Sequence, residues 1–183
     1  MEHIVSKKVS PIPRGYRTAT TCLTVVDIDS AVAFYQAAFA AELLTRLMDP
    51  SESYAIHATI KIGNSIIALN PESAEMGVYA PVTLGAAAGQ VHLYVDSVEA
   101  SWERAIEAGA MVYTPIYDAY WGDRIGVLRD GNGHLWSVAS KIENVSQDEI
   151  VRRSRAAVAP VEYEVPEELL YAEEVVAADT VAA

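Results

Sequence analysis

The residues of this chain that could bind or transform a small molecule are mostly aromatic rings, amides and histidines. The candidate ligand-binding residues are His57, Asn70, Gln90, His92, Tyr94, Tyr120, Trp121 and Arg124. Aromatic surface with a few polar groups suits a flat organic ligand, because the rings supply contact area and the polar groups fix orientation. These residue types therefore favour binding chemistry.

Simpler roles remain open for several of these residues. A histidine on an inward-facing strand is more often hydrogen-bonded in place than active in proton transfer. Arg124 could clamp a ligand anion, or it could pair with Asp123 or Asp118. No Ser-His-Asp or Cys-His arrangement and no suitably placed carboxylate pair is visible in the sequence, so the catalytic residues are unknown.

The elements that must position these residues occur twice along the chain. Leu23-Thr24-Val25-Val26-Asp27 corresponds to Leu93-Tyr94-Val95-Asp96, and each stretch opens into a helical pattern. The offset is 69 residues (96 minus 27), and later strands and turns align at the same offset. Each half reads as a βαβββ unit, and such a duplication predicts one site built where the two halves meet.

Residue patterns predict the elements of each half. In the first half we expect a strand over 17–26, a helix from Asp29 or Ser30 to Phe39, and strands over 43–48, 54–62 and 65–70. In the second half we expect a helix that begins in the capping box Asp96-Ser97-Val98-Glu99 and ends at Gly109, then strands over 110–117, 123–129 and 135–139. Ala40 occupies the position that matches Gly109, so the first helix is expected to end differently. Residues 72–89 read as a linker or lid, and a last helix is expected from Ser146 to about Val158.

Composition limits the classes of partner. The chain has 183 residues, and no apolar run approaches the ~20 residues of a membrane span, so no membrane is expected. A net charge of −12 argues against nucleic acid, which requires a basic surface. The single cysteine, Cys22, excludes an internal disulfide; without a visible secretory signal it indicates a cytoplasmic protein, and we expect it to be buried.

Much of the negative charge belongs to the segment over 161–183, which has seven acidic residues and no Lys or Arg. Apolar residues at near-helical spacing predict a short helix over about 166–177 that docks on its own dimer or on a partner. We expect this segment to lie away from the ligand site.

Several short stretches, taken in order, resemble one family. They are Pro11-Ile12-Pro13-Arg14-Gly15-Tyr16, Ala33-Phe34-Tyr35, His57-Ala58-Thr59-Ile60-Lys61-Ile62-Gly63-Asn64-Ser65, His92-Leu93-Tyr94-Val95-Asp96, and Gly122-Asp123-Arg124 leading to Asp130-Gly131-Asn132-Gly133-His134-Leu135-Trp136. From about Pro11 to Arg153 the chain resembles the vicinal oxygen chelate superfamily of glyoxalase I, bleomycin-resistance proteins and extradiol dioxygenases. Within that superfamily it is most similar to the PhnB-like branch.

The resemblance implies an α+β fold in which two βαβββ modules, about 17–72 and 88–141, form an open, cupped eight-stranded mixed sheet with helices outside. The domain would cover residues 1–159, including a C-terminal helix. The acidic tail would cover residues 160–183. The resemblance also implies a homodimer, whose interface we expect to include the strands that open each half. Strand alternation then points His57, His92 and Tyr94 into the cup and Trp136 into the core.

The metal-dependent members of this family carry four ligands at equivalent points of the two modules. On this sequence those positions hold Thr20, Ala68, Gln90 and Ser137. Divalent transition metals prefer imidazole, carboxylate or thiolate donors, so two hydroxyls, a methyl group and a neutral amide predict no metal. We therefore expect no cofactor and no glyoxalase I activity, since no Lewis acid would polarise a carbonyl.

Three functions follow from the sequence and its resemblance. The favoured one is a metal-free protein that sequesters a small aromatic or natural-product ligand in the cup. The second is a lyase, isomerase or dioxygenase of the same superfamily that works through other donors such as His57 and His92. The third is a protein-association module in which the acidic tail contacts the partner.

Overall fold

The computed structural model describes residues 9–157. In chain order its elements are β1 (Thr21–Val25), α1 (Ile28–Phe39), β2 (Glu42–Met48), β3 (Ala55–Ile62), β4 (Ser65–Pro71), α2 (Pro81–Leu84), β5 (Gln90–Tyr94), α3 (Val98–Glu107), β6 (Met111–Asp118), β7 (Asp123–Arg129), β8 (Leu135–Lys141) and α4 (Gln147–Ala157). In the described range, no helix has both the length and the apolar character that crossing a membrane requires. The tail helix predicted over 166–177 lies outside the described residues.

The strands form two four-stranded mixed sheets, one in each half. Their orders are β1-β4-β3-β2 and β5-β8-β7-β6. In both sheets the opening strand runs parallel to the last strand, and the other neighbours are antiparallel. We call β1 to β4 with α1 module 1, and β5 to β8 with α3 module 2. The predicted α+β fold of two βαβββ modules is confirmed, and the described strands do not close into a barrel.

One apolar core connects the two modules. Tyr35 and Phe39 of α1 lie against Trp136 of β8, with ring centroids 5.1 and 4.8 Å apart. Trp136 is completely buried, as predicted, and α1 also packs against α3. Large aromatic side chains contribute most of the contact area in such a core, so the modules fold as one body. That body ends at Asn144.

Hydrogen bonds at the turn between β7 and β8 add a polar connection between the modules. The side-chain oxygen of Asn132 accepts a bond of 2.9 Å from the backbone N–H of Val26, just after β1. Nε2 of His134 donates to the carbonyl oxygen of Thr24 at 2.8 Å. The turn of module 2 therefore holds the end of β1 in place.

The helices of the two modules, α1 and α3, each begin at a residue other than the one predicted. Asp27, rather than Asp29 or Ser30, caps α1, because its side chain accepts a 2.7 Å bond from the N–H of Ser30. Ser97 caps α3 one residue after the predicted start, and its hydroxyl accepts from the N–H of Ala100. Local hydrogen bonding decides such boundaries within one or two residues.

The end of α1 contradicts the prediction drawn from Ala40. Ala40 adopts the left-handed conformation with a φ of 52°, despite its Cβ, and thus matches Gly109, whose φ is 101°. The N–H of Ala41 bonds to the carbonyl oxygen of Tyr35, which satisfies the last turn. Tertiary packing of the following residue, Ala41, which is buried, holds this strained position.

Strand ends differ from the predicted ones by a few residues. β1 begins at Thr21 rather than at residue 17, whereas β8 continues to Lys141.

The linker over 72–89 contains the short helix α2, whose Val82 N–H donates to the carbonyl oxygen of Asn132 at 2.9 Å. The helix α4 belongs to a separate unit, and ion pairs from Glu149 to Arg152 and Arg153 stabilise it locally.

Candidate ligand-binding site

Each sheet has one face against a helix and an opposite face, which we call the cup face. On β3, Ala58 and Ile60 are completely buried in the core, so His57 projects from the cup face of module 1. Nδ1 of His57 lies 2.9 Å from Oδ1 of Asn70 on β4. Because the Asn70 amide oxygen accepts, Nδ1 of His57 is the donor in this contact.

On module 2, His92 and Tyr94 project from the cup face because Leu93 and Val95, between and after them, pack against the core. Nδ1 of His92 lies 2.6 Å from Oγ of Ser137 on β8. The rings of His92 and Tyr94 meet edge to face with centroids 4.7 Å apart. Ser137 is completely buried, so its hydroxyl orients His92 and is not available as a nucleophile.

A buried carboxylate that the sequence analysis did not identify organises the cup face of module 2. Asp123, at the start of β7, is only 1% exposed. Its Oδ2 accepts hydrogen bonds from the Tyr94 hydroxyl at 2.8 Å and from Nε1 of Trp121 at 2.7 Å. Nζ of Lys141 lies 3.2 Å from the other carboxylate oxygen. Asp123 thereby fixes one tyrosine and one tryptophan relative to each other.

Asp123 stays ionised in this setting. Burial raises the pKa of its carboxyl group, but the polar contacts with Tyr94, Lys141 and Trp121 outweigh burial and lower that pKa below its usual value. The hydrogen bond to Asp123 in turn raises the pKa of the Tyr94 hydroxyl. At neutral pH, Tyr94 therefore remains a protonated donor and Asp123 remains a carboxylate.

Tyr120 and Trp121 extend the aromatic surface of module 2. Their rings are perpendicular with centroids 4.8 Å apart. Trp121 packs against a small buried cluster that includes Ile125 and Ala139, which is separate from the main core. Gln90, two positions before His92 on β5, lies on the same face and is exposed. The structure thus groups Gln90, His92, Tyr94, Tyr120 and Trp121 in module 2.

Arg124 does not lie on the cup face, so the structure does not group it with the other candidate ligand-binding residues. Successive strand residues alternate between faces, so Arg124 lies opposite to Asp123, on the helix-bearing side. There Nε of Arg124 donates to Asp118 at 2.6 Å, and another guanidinium nitrogen donates to Glu99 of α3 at 3.1 Å. The alternative role, pairing with Asp118, is the one that the structure shows.

Cys22 is exposed, not buried as expected. It lies on β1, an edge strand, and it pairs in register with Ala68 of β4. Leu23 and Val25 point into the core. Cys22, which immediately precedes Leu23 on the strand, therefore points away from the core. The sequence expectation failed because cysteine is usually buried, whereas strand alternation was the better guide here.

The histidine of module 1 and that of module 2 form separate polar pairs. In the described part of the chain, no hydrogen bond or ring contact joins a cup-face side chain of one module to one of the other. A cavity of about 150 Å³ lies where the modules meet, with Thr20, Ile66 and His92 in its lining. An open groove of about 1070 Å³ follows β5 past Tyr94, along the turn between β3 and β4. Both cavities are lined by His92, and the groove is also lined by Tyr94.

The paired βαβββ modules match a known family. The model of the Glyoxalase/Bleomycin resistance protein/Dioxygenase superfamily matches residues 17–138, which include most of both modules. The chain belongs to this superfamily. The resemblance seen in the sequence is confirmed at this level, and membership of the PhnB-like branch stays a prediction.

Several proteins of known sequence or structure are similar to this chain. Uncharacterized protein Rv0887c of Mycobacterium tuberculosis (strain ATCC 25618 / H37Rv) is 39% identical over 131 residues, which cover 70% of this chain and 76% of the relative. The crystal structure of TioX from Micromonospora sp. ML1 has a TM-score of 0.53 at 28% identity and covers 68% of this chain and 99% of TioX. The fosfomycin resistance protein FosX from Listeria monocytogenes, complexed with Mn(II) and sulfate, has a TM-score of 0.51 at 18% identity, with 74% of this chain and 97% of FosX covered. At that identity the likeness to FosX shows the fold alone.

The superfamily's metal positions do not fit a metal in this chain. Ala68 offers a methyl group, and the hydroxyl of Ser137 is engaged with His92. Thr20 and Gln90 add a hydroxyl and a neutral amide, which bind divalent transition metals poorly. Across residues 9–157, no three His, Cys, Asp or Glu side chains are grouped so that they could hold a metal ion.

Proposed function

We propose that this member of the superfamily is a metal-free small-molecule binding protein, which sequesters a small aromatic or natural-product ligand on the cup face of module 2. The observation that carries the proposal is the rigid aromatic surface around Asp123. Tyr94 is 63% exposed, yet its hydroxyl is fixed by a carboxylate that also fixes Trp121. A surface that is exposed and already ordered loses little conformational entropy when a flat ligand binds.

The polar groups beside this surface support binding rather than chemistry. His92 has its Nδ1 engaged with a buried serine, and Asp123 has its Oδ2 engaged with two donors. Such fixed groups can orient a ligand by hydrogen bonds. A lyase, isomerase or dioxygenase would need a Lewis acid or a free acid and base at the same place.

The proposed partner of the chain in solution is a second copy of itself. Exposed apolar residues occur along two edge strands, with Leu44 and Leu47 on β2 and Val112 and Tyr113 on β6. Exposed apolar edges of this kind favour pairing with another chain. A second copy would also cover the open cup faces, as the family resemblance implies.

Thermal shift with a library of flat aromatic and natural-product compounds tests the proposed function. A ligand that binds the native state alone raises the melting temperature by mass action, and calorimetry then gives its affinity. We expect Trp121→Ala to weaken a confirmed ligand by at least tenfold, about 1.4 kcal/mol. The matched control is Tyr79→Ala, an exposed aromatic residue in the linker, which should leave the affinity unchanged.

The proposal fails if no compound of the library shifts the melting temperature. It also fails if a ligand binds with the same affinity to the wild type and to Trp121→Ala. Turnover of a bound compound, followed by chromatography, would instead support the enzyme alternative.

A further inference from the structure

Asp123 has acceptor capacity that the chain does not use. A carboxylate can accept about four hydrogen bonds, and Oδ2 of Asp123 receives two. Oδ1 is buried and accepts no hydrogen bond from any described residue. Nζ of Lys141 neutralises it as an ion pair at 3.2 Å, while that ammonium donates its hydrogen bond to the carbonyl oxygen of Trp121 at 2.8 Å. A buried carboxylate oxygen that has an ion pair but no hydrogen bond is a position at which a ligand can supply the missing donor.

Lys141 is a neighbour that a ligand can displace. Its side chain is 46% exposed, whereas that of Asp123 is 2% exposed. An ammonium group on a flexible, half-exposed stem forms ion pairs of low strength, because water competes for it. The carboxylate is thus fixed, and the cation that faces it is not.

The side chains around Asp123 suit a cation that carries an aromatic ring. The Tyr94 hydroxyl and Nε1 of Trp121 both donate to Oδ2, so both aromatic side chains are held beside the carboxylate. The faces of such rings are electron-rich and attract ammonium groups, most strongly where water is excluded. The net charge of −12 adds a long-range attraction for cations.

We propose that the cup face of module 2 selects ligands in which a flat aromatic ring is joined to a protonated amine. The amine donates to Oδ1 of Asp123 in place of the Lys141 ammonium, and the ring packs against Tyr94 and Trp121. This inference rests on the proposed function and adds the ligand class to it. Aromatic carboxylates, which Asp123 repels, are poor ligands.

Three probes of nearly equal size and different charge test the selectivity. They are tryptamine, which is a cation, indole-3-propionamide, which is neutral, and indole-3-propionate, which is an anion. Titration calorimetry at low salt on the full chain should give tryptamine an affinity at least tenfold above that of indole-3-propionate. The neutral amide should lie between them.

Two variants locate the source of the selectivity. Lys141→Met removes the competing ammonium, so it should strengthen tryptamine binding several-fold, and Asp123→Asn should remove the preference for the cation. Lys61→Met is the matched control, since Lys61 is also a half-exposed lysine in an ion pair, with Glu42, and it should leave all three affinities unchanged. Because Lys141 is at the surface, Lys141→Met is informative even if Asp123→Asn does not fold.

Any result that differs from these expectations overturns the inference. Equal binding of the three probes, or a preference for the anion, would leave the proposed function intact and refute the selectivity for amines. A preference for tryptamine that Lys141→Met and Asp123→Asn both leave unchanged would place the cation elsewhere. Binding of none of the probes to any variant would also refute the inference, whereas the proposed function fails only if the compound library gives no shift either.

Discussion

The hydroxyl of Tyr35 on α1 donates a 2.8 Å hydrogen bond to Oδ2 of Asp130, in the turn before β8. Asp130 is 1% exposed, and the same oxygen also accepts from Nε1 of Trp136 at 2.8 Å. Burial, followed by the charge of Asp130, raises the pKa of Tyr35, so the phenol remains a donor. A residue of module 1 therefore completes the hydrogen bonding of a carboxylate that belongs to module 2.

Tyr35→Phe should lower the free energy of unfolding by about 1–3 kcal/mol, because a buried charged acceptor loses a donor. Urea denaturation followed by circular dichroism measures the change. Tyr54→Phe is the control, since Tyr54 is 57% exposed and should tolerate the loss of its hydroxyl. Equal losses in the two variants would show that the Tyr35 bond has no special role.

Gly126 on β7 allows Trp102 of α3 to approach the sheet. A Cβ at position 126 would lie 2.5 Å from the Trp102 ring, whereas a Cβ at Gly131 would meet nothing within 4 Å. Gly126→Ala should therefore cost roughly 1–3 kcal/mol of stability through overpacking. Gly131→Ala is the control and should be close to neutral. Thermal unfolding of both proteins checks this, and a neutral Gly126→Ala would contradict the close packing.

Asp49 should make the stability of the chain sensitive to acid. The hydroxyl of Ser51 and the backbone N–H groups of Ser51, Ser53 and Tyr54 donate to its carboxylate. Chiefly through the Ser51 hydroxyl, these bonds lower the pKa of Asp49 from 3.8 to about 2. A depressed pKa in the folded state stabilises the protein above the unfolded value of 3.8, and this contribution is lost as the pH falls towards 2.

The measurement compares the wild type with Asp49→Asn in urea at several pH values. The stability advantage of the wild type should be constant above about pH 5 and shrink as the pH falls through the range from 3.8 to 2. Glu75→Gln, at an exposed linker position, serves as the control for a general effect of charge. An advantage that does not change with pH would refute the assignment.

The purified chain should contain far less than one zinc, nickel, manganese or iron ion per molecule, because the family's ligand positions hold Thr20, Ala68, Gln90 and Ser137. Elemental analysis by mass spectrometry measures the metal content, before and after incubation with each metal and desalting. Glyoxalase I activity should be absent in every sample. Near-stoichiometric metal, together with a function that chelators abolish, would overturn this expectation.

The chain should be a dimer at micromolar concentration, because exposed apolar side chains lie along β2 and β6. Light scattering measures the mass, and Val112→Glu on β6 should shift it towards the monomer by placing a charge in the contact. Met76→Glu is the control, because Met76 is 74% exposed in the linker. A monomeric wild type would count against the proposed partner.

Strand alternation explains both the success and the failure of the sequence predictions. On β5 the regular pattern placed His92 and Tyr94 correctly, because Leu93 and Val95 mark the buried face. On β7 the polar residues Asp123 and Arg124 are adjacent, and the charged residue that is buried is the aspartate. Its burial depends on donors at Tyr94, Trp121 and Lys141, and the sequence does not show that these meet.

The repeat predicted the two modules but not how they share their core. A duplicated segment fixes the strand order within each half, whereas the contact of Phe39 with Trp136 depends on the packing of one half on the other. The bond between Tyr35 and Asp130 joins residues 95 positions apart. Asp130 lies in a turn, where aspartates are usually exposed, so the sequence does not indicate that its carboxylate is buried.

The segment between the modules is fastened at its middle. The N–H of Ala80 donates to Glu72 at 2.7 Å, the N–H of Val82 donates to Asn132, and Gly133 has no space for a Cβ because the Val82 nitrogen would be 2.5 Å away. These contacts bind the middle of the connection to both modules, so it is fixed in place and does not act as a hinge between them. The shared core and the turn before β8 join the same two modules, so this connection is a third attachment between them.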